Sequence, residues 1–294
     1  MPTDPVCGMP VEEGGPGAER GGERYFFCSD ECRKEFSADP DRYLSETPIV
    51  EVSRVSKTYV LGKVPVKALD DVSLRIFRGD FAAIIGKSGS GKSTLMHLIG
   101  LLDRPSKGSV RVAGTDTSRL SDEEAARHRG ERIGFVFQKF HLIASLTALQ
   151  NVLLPAVFRG VRPPLDAARR ILDEVGLSGR INHRPAELSG GEQQRLAVAR
   201  ALINDPEIIL ADEPTGNLDS KTGREVLALL ERLRSKGKTL VVVTHDPFIA
   251  ERAERIFNLS DGRIFRGHAA AHPYIGMNSA GKPGHAVEAD RHHQ

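Results

Sequence analysis

A glycine-rich loop in this sequence reads Gly86-Lys87-Ser88-Gly89-Ser90-Gly91-Lys92-Ser93-Thr94. It matches the pattern G-x-x-x-x-G-K-[ST] and lies between an apolar run, Phe81–Ile85, and a helical stretch, 92–102. Glycines let the backbone turn its N–H groups towards phosphate, and the start of the following helix adds positive potential. Lys92 offers a charge to the β- and γ-phosphates, and the Ser93 hydroxyl is suited to Mg²⁺. The loop therefore predicts nucleotide binding, because an accidental glycine-rich turn would lack this strand and helix.

Short apolar runs and helical stretches alternate along residues 49–266. Runs typical of buried strands occur at residues 81–85, 133–137, 207–211 and 240–244. The stretch 140–185 is more helical, with an amphipathic segment at 166–175. This alternation indicates an α/β fold in which helices cover a mostly parallel sheet.

Two adjacent carboxylates, Asp212 and Glu213, follow the apolar run 207–211. Successive side chains of a strand point in opposite directions, so the two carboxylates cannot do the same work. We assign Mg²⁺ to Asp212 and the attacking water to Glu213. A helix-capping acid pair is the alternative, and the phosphate-binding loop disfavours it.

A third motif reads Leu188-Ser189-Gly190-Gly191-Glu192-Gln193-Gln194-Arg195. It resembles the signature of the ABC ATPases almost letter for letter, and the resemblance covers roughly residues 49–266. It implies a P-loop ABC ATPase fold with a RecA-like core, an antiparallel β subdomain and an α-helical subdomain. In the family, Ser189 and the amides of Gly190 and Gly191 form a second anion-binding helix terminus, which faces the γ-phosphate held by the other subunit. The resemblance thus implies a homodimer.

The resemblance also carries single residues. Gln138 matches the glutamine that senses Mg²⁺ and the transport partner, and Asp219 lies in the segment that crosses the dimer interface. His245 matches the histidine that contacts the γ-phosphate, although a lone histidine beyond a strand is usually structural. Tyr59 matches the aromatic that stacks on adenine, whereas an aromatic near a strand end is more often core. The complete set of expected site residues is Glu213, His245 and Lys92 for catalysis; Tyr59, Gly86, Lys87, Ser88, Gly89, Ser90, Gly91, Lys92, Ser93, Thr94, Gln138, Ser189, Gly190, Gly191, Glu192 and Asp219 for ATP; and Ser93, Gln138 and Asp212 for Mg²⁺.

Within this family, three segments resemble the lipoprotein-releasing, macrolide-efflux and cell-division ATPases: residues 100–105, 134–138 and 210–219. This implies an ATP-hydrolysing subunit that drives a separately encoded integral membrane permease in export or envelope work. Glu192 stands where Gln is common, and Gln150 stands where the subfamily usually has Glu, which leaves the partner contact there open. The alternative is a soluble ABC ATPase without a transport role, but neither a long coiled-coil insertion nor a second cassette is visible.

Composition places limits on location and partners. Apolar residues make up 39% and charged residues 27% of the chain, as in an ordinary globular protein. No run approaches the roughly 18 apolar residues needed to cross a bilayer, and the first residues lack a secretory pattern. We expect a cytoplasmic protein, held on the cytoplasmic face of the inner membrane by its partner. A net charge of +2 gives no reason to expect nucleic acid binding.

All three cysteines, Cys7, Cys28 and Cys32, lie in an acidic segment at the start of the chain. Three thiols in a reducing compartment indicate metal ligands or redox groups rather than a disulfide frame. The segments 4–9 and 25–32 resemble the small YHS/TRASH-like metal-associated domain, often attached to proteins that transport heavy metals. Three thiolates suit Cu(I), and Zn²⁺ fits with water or a carboxylate such as Asp30 as a fourth ligand. We expect a metal sensor or delivery module; a structural zinc docking module and free thiols are the alternatives.

The expected organisation is therefore a Cys-rich α+β domain at 1–45, a linker at 46–48, the ATPase domain at 49–266 and a disordered tail at 267–294. Half of the ten histidines lie in the tail: His268, His272, His285, His292 and His293. Their irregular spacing favours disorder over a metal-gathering function.

Overall fold

The computed structural model describes residues 1–62, 64–162 and 164–266, so the expected tail lies outside the described residues. The strands are β1 (Gly17–Arg20), β2 (Glu23–Phe26), β3 (Val50–Leu61), β4 (Val64–Ile76), β5 (Phe81–Ile85), β6 (Lys107–Val112), β7 (Thr115–Asp116), β8 (Ile133–Phe137), β9 (Ile208–Asp212), β10 (Thr239–Thr244), β11 (Arg255–Ser260) and β12 (Arg263–Arg266). The α-helices are α1 (Asp30–Ala38), α2 (Pro40–Ser45), α3 (Lys92–Ile99), α4 (Asp122–Arg132), α5 (Ala148–Phe158), α6 (Leu165–Glu174), α7 (Gly190–Leu202), α8 (Ser220–Ser235) and α9 (Pro247–Ala250). Short 3₁₀ turns lie at Thr117–Arg119, Ser178–Arg180 and Pro185–Glu187.

The central sheet has six strands in the order β12-β11-β5-β10-β9-β8. All neighbours run parallel except β12, which pairs antiparallel with β11. Strands β5 and β10 are buried along their whole length, which explains their continuous apolar sequences. Because β5, β9 and β10 run parallel, the loops that follow them meet at one edge of the sheet. That edge carries the phosphate-binding loop, the acid pair and His245.

Two further layers complete the expected ATPase fold. An antiparallel sheet has the order β4-β3-β6-β7, and α3 packs between its strands β3, β4 and β6 and the central strands β9 and β10. Helices α5, α6 and α7 pack on one another to form the α-helical subdomain. The predicted combination of parallel core, antiparallel subdomain and helical subdomain is confirmed.

The N-terminal unit consists of the β1–β2 hairpin followed by α1 and α2. Phe27 and Phe36 are buried with ring centroids 5.2 Å apart. They belong to the same hydrophobic cluster as Ile76 and Leu259 of the ATPase, so the two parts share a core. Among the described residues, no helix has the length and apolar character that a membrane crossing requires.

Candidate functional site

The phosphate-binding loop joins β5 to α3 and is shaped by glycines. Gly91 precedes α3 with a φ of 103°, a left-handed conformation that side chains disfavour. A Cβ atom on Gly86 would lie 2.2 Å from the carbonyl oxygen of Leu259, so the backbone approaches β11 too closely for any other residue. Nζ of Lys92 donates to the carbonyl oxygens of Gly86 (2.8 Å) and Lys87 (2.9 Å). The ammonium group is therefore folded over the loop where phosphates would lie.

Asp212 ends β9 and lies within electrostatic reach of that lysine. Burial raises the pKa of Asp212, and the charge of Glu213 raises it further, while His97 and Lys92 act in the opposite direction. A carboxylate disfavoured by burial and by a like charge is stabilised by a cation. Asp212 is thus suited to Mg²⁺, as the sequence predicts.

Glu213 is held in a strained position by two donors. Its φ is 44°, and a left-handed conformation costs a non-glycine residue roughly 1–2 kcal/mol. Its N–H donates to the carbonyl of Val243, 2.8 Å away, which fixes the turn. Oγ1 of Thr244 donates to Oε2 (3.0 Å), and Nδ1 of His245 is hydrogen bonded to Oε1 (2.6 Å). The carboxylate is largely buried whereas the His245 side chain is 72% exposed, so the ring is accessible to a ligand.

The glutamine and the dimer-interface segment contact each other within one chain. Nδ2 of Asn217 donates to the carbonyl of Gln138 (2.8 Å), and a Cβ atom on Gly216 would lie 2.8 Å from Nε2 of Gln138. Asp219, expected to act at the dimer interface, caps α8 here, with the N–H of Thr222 among its donors. Its carboxylate is already engaged, and its pKa is lowered by the Thr222 hydroxyl and N–H bonds.

The signature motif forms the start of α7, which begins at Gly190. Oγ of Ser189 accepts the N–H of Glu192 (3.3 Å), and Oε2 of Glu192 accepts the N–H of Ser189 (2.8 Å). These bonds lower the pKa of Glu192, the backbone N–H bond most. A Cβ atom on Gly191 would lie 2.3 Å from Cγ2 of Thr222, so α8 requires glycine there. Helix α7 packs on α5, α6, α8 and β8, whereas α3 packs on β3, β4, β6, β9 and β10. The starts of α3 and α7 therefore lie in different subdomains.

Tyr59 lies on β3 beside the start of α3. Its hydroxyl donates to Oδ2 of Asp103 (2.8 Å), and Thr94 is a further hydrogen-bonding neighbour. Nζ of Lys57 lies 4.9 Å from the ring centroid. Burial, followed by the bond to Asp103, raises the pKa of the phenol. The ring is thus placed next to the phosphate-binding loop, and Asp103, which the sequence did not single out, orients it.

The three cysteines converge, and a fourth donor joins them. The Sγ atoms of Cys7 and Cys28 lie 3.5 Å apart, and those of Cys28 and Cys32 lie 3.4 Å apart. Asp4 completes the group, whose ligand atoms all lie within 4.8 Å of one another. Asp30, expected as the carboxylate ligand, instead pairs with Arg33 at the surface. The expectation for Asp30 is therefore corrected to Asp4, which stands three residues before Cys7.

The cluster is held together by the Asp4 carboxylate, and the pKa values of its thiols differ. The Asp4 carboxylate accepts the N–H groups of Val6 and Cys28, each at 2.8 Å, and so links two segments that are distant in sequence. Hydrogen bonds from Cys32 and then Cys7 lower the pKa of Cys28 to about 5. Burial raises the pKa of Cys7. Three sulfurs beside a carboxyl group form a donor set for a thiophilic cation.

The strand–loop–helix with its lysine, followed by the acid pair and the exposed histidine, defines a P-loop nucleotide-binding protein. The family model described as "ABC transporter" matches residues 69–216, and the model described as "YHS domain" matches residues 2–47. The chain belongs to the ABC transporter family of ATPases and carries a YHS domain ahead of the ATP-binding cassette.

Individual relatives agree with this membership. The Macrolide export ATP-binding/permease protein MacB 1/2 of Paracoccus denitrificans is 51% identical over 221 residues, covering 74% of this chain and 33% of that protein. This chain thus spans about a third of the length of that relative. An uncharacterized ABC transporter ATP-binding protein of Thermotoga maritima is 52% identical over 219 residues, covering 74% of this chain and 93% of that protein. A solved dimeric structure of the ATP-binding cassette MJ0796, in a post-hydrolysis state with ADP and Pi, is 46% identical with a TM-score of 0.70, and covers 75% of this chain and 98% of that one.

Proposed function

We propose that this chain is the ATP-hydrolysing subunit of an exporter, bound to a separate integral membrane permease at the cytoplasmic face of the inner membrane. The Thermotoga relative, of which the match covers 93%, is named an ATP-binding protein, whereas the Paracoccus relative is named an ATP-binding/permease protein. The observation that carries the proposal is Glu213, held between Thr244 and His245 next to the phosphate-binding loop. The permease would select the substance that is exported.

In this function the site residues divide the work of binding and hydrolysis. The loop amides and Lys92 bind the β- and γ-phosphates, and Tyr59 stacks on adenine. Ser93, Gln138 and Asp212 would hold Mg²⁺, which neutralises charge on the transferred phosphate. Glu213 orients a water molecule and takes its proton, since its carboxylate is fixed by two donors. His245 contacts the γ-phosphate with its exposed ring and holds the carboxylate with Nδ1.

The site is completed by a second copy of the chain. Ser189 and Gly190 are exposed at the start of α7, in a different subdomain from the loop that binds the phosphates. Facing the loop of a second copy, they would contribute N–H groups and positive helix potential to the γ-phosphate. ATP shared in this way binds the closed dimer better than the open one, so ATP drives closure and hydrolysis releases it.

Replacing Lys92 tests the nucleotide site directly. Lys92→Ala should weaken ATP binding by about 10–100-fold, the value of charge-assisted hydrogen bonds, and should abolish hydrolysis. Lys107→Ala, which removes an exposed lysine on β6, is the matched control and should change neither quantity. Equal ATP affinity for the Lys92→Ala and wild-type chains would refute the assignment.

A groove of about 940 Å³, lined up to the residue before Gln138, offers the permease a docking surface. Its lining includes Phe135 and Phe137 of β8, Phe158 of α5 and Arg200 of α7. Phe158 is 82% exposed, an unusual state for a phenylalanine of a folded protein. Because Gln138 directly follows β8, an occupant of this groove could displace a Mg²⁺ ligand. A photocrosslinking residue at position 158 should capture a protein with membrane-spanning segments, and Phe158→Glu should prevent the complex; capture of soluble proteins alone would contradict the assignment.

We also propose that the YHS domain binds Zn²⁺ through Asp4, Cys7, Cys28 and Cys32 and acts as a metal-responsive regulator. Three sulfurs and one carboxylate form a four-donor set, which is the coordination number zinc prefers. Cu(I) would need only the three thiolates. Asp4→Asn should therefore weaken Zn²⁺ binding strongly, whereas Asp30→Asn, the matched control, should not. If Asp4→Asn leaves metal content unchanged, the four-ligand zinc site is refuted in favour of a three-thiolate site.

A further inference from the structure

The loop that carries Cys7, residues 4–9, is anchored on the ATP-binding cassette. The carbonyl oxygen of Cys7 accepts the N–H of Arg75, 2.7 Å away. Arg75 lies on β4, the outer strand of the antiparallel sheet, and pairs on its other side with Glu51 of β3. The N–H of Arg75 at the edge of the sheet thus finds its hydrogen-bond acceptor in the backbone of Cys7, which is itself a candidate metal ligand.

Gly8 shows how closely the loop fits against β4. Its φ is 82°, and a Cβ atom there would lie 2.8 Å from Cγ of Arg75 and 3.2 Å from the carbonyl carbon of Leu74. A side chain at position 8 would therefore push the loop, and Cys7 with it, away from the cassette.

A buried arginine from the far end of the chain holds the same loop. Arg255 is 2% exposed, and its Nη1 donates to the carbonyl oxygen of Val6 at 2.9 Å. Its Nε pairs with Oδ2 of Asp80 (2.8 Å), and its Nη2 donates to the hydroxyl of Tyr43 (3.2 Å). Arg42 of α2 pairs with the other oxygen of Asp80. One guanidinium group from β11 therefore binds the Cys7 loop and α2 simultaneously.

These contacts fix one wall of the metal site. Cys28 and Cys32 belong to a different segment, so the position of the Cys7 sulfur relative to theirs depends on what holds residues 4–9. Hydrogen bonds that orient ligands from outside the coordination sphere raise metal affinity, because less order must be imposed on binding. Here such bonds come from Arg255 and Arg75, which belong to the cassette.

We propose that the cassette completes the metal site: Arg255 is a positioning residue for Cys7, and metal binding and docking of the YHS domain stabilise each other. This inference rests on the proposed metal site. By linkage, the factor that docking adds to metal affinity is the factor that metal adds to docking. Arg255 opposes Ala82 where β11 pairs with β5, at the end of β5 remote from Gly86. The docked domain therefore leaves the ATP site open, and ATP affinity can serve as a control for folding.

The test measures Zn²⁺ affinity of the full chain by competition with a chromophoric chelator. Arg255→Met removes the guanidinium group that donates to Val6 but retains an aliphatic side chain of similar length. It should weaken Zn²⁺ binding by about 10-fold or more. Arg252→Met is the matched control, because Arg252 is exposed and pairs with Glu231 on the surface; its Zn²⁺ affinity should equal that of the wild type. Gly8→Ala, which leaves every ligand and Arg255 in place, should also weaken Zn²⁺ binding.

Hydrogen exchange at the Arg75 amide reports docking independently of affinity. Zn²⁺ should slow this exchange in the wild type and should have less effect in the Arg255→Met and Gly8→Ala chains, while ATP affinity stays unchanged in all of them. Equal Zn²⁺ affinities for the wild type, Arg255→Met and Gly8→Ala would overturn the inference but leave the metal site intact. A wild-type chain that binds no Zn²⁺ would overturn both.

Discussion

Glu213→Gln separates ATP binding from ATP hydrolysis. The carboxylate of Glu213 is hydrogen bonded to Oγ1 of Thr244 and Nδ1 of His245. Glutamine has the same size, but its single carbonyl oxygen serves one of these partners well and it cannot take a proton from water. The phosphate-binding loop and Lys92 are unchanged by this substitution.

The expected loss follows from removing a positioned base. General bases contribute about 10²–10⁴-fold to rate, and a 10³-fold loss corresponds to roughly 4 kcal/mol of barrier. The strained φ of Glu213 is retained by the variant, so its protein stability should change little. ATP affinity should stay near the wild-type value, because no phosphate contact is lost.

The assay combines phosphate release with binding of a fluorescent ATP analogue and with the sedimentation of the ATP-bound chain. Hydrolysis should fall by the stated factor, and dimers should accumulate with ATP because closure is no longer followed by release. Turnover within a few-fold of the wild type would refute Glu213 as the base. If Glu213→Gln lost ATP binding together with turnover, the claim that Glu213 acts only in hydrolysis and not in ATP binding would be refuted.

Three further substitutions test the neighbouring residues. His245→Ala should lower phosphate release by about 10²-fold, the lower range for acid–base residues, and should weaken binding of the ATP analogue less than Lys92→Ala does, because only one γ-phosphate contact is lost. Gly191→Ala forces a Cβ atom against Thr222 and should lower the free energy of unfolding by about 1–3 kcal/mol, measured by urea denaturation; an unchanged midpoint would contradict the close approach. Glu192→Gln retains a side-chain oxygen that can accept the N–H of Ser189. Because the pKa of Glu192 is lowered in the folded chain, the wild type should lose stability relative to this variant as pH falls below the usual glutamate range, and parallel pH curves would contradict that expectation.

The strand and helix pattern was predictable where neighbours in sequence decide it. The runs 81–85 and 133–137 coincide with β5 and β8. The predicted helix 92–102 was too long: α3 ends at Ile99, and Leu101 takes a left-handed φ of 55°. Gly100 caps the helix at a point where a Cβ atom would lie 2.8 Å from the Phe135 ring, a contact from a distant strand.

The residues of the candidate site also fall into those that local sequence motifs predict and those that only the folded structure brings together. Lys92, Glu213 and Ser189 stand in contiguous motifs, so the sequence could predict them, Ser189 through the resemblance to the ABC ATPases. Asp4 could not be distinguished from other acidic residues of its segment, since only folding brings it to the cysteines. Arg255 gave no sequence signal at all, because the carbonyl it holds lies 249 residues away.

The most direct test of the account is whether one active site is built from two chains. Lys92→Ala removes the phosphate contact but leaves the signature, whereas Gly190→Glu places a negative charge at the signature helix start, where a Cβ atom meets only Leu218 at 3.7 Å. Each variant alone should be inactive. An equal mixture forms dimers with one intact composite site and should recover about a quarter of wild-type phosphate release, as random pairing in a two-fold dimer requires. A mixture no more active than the separate variants would contradict the shared site.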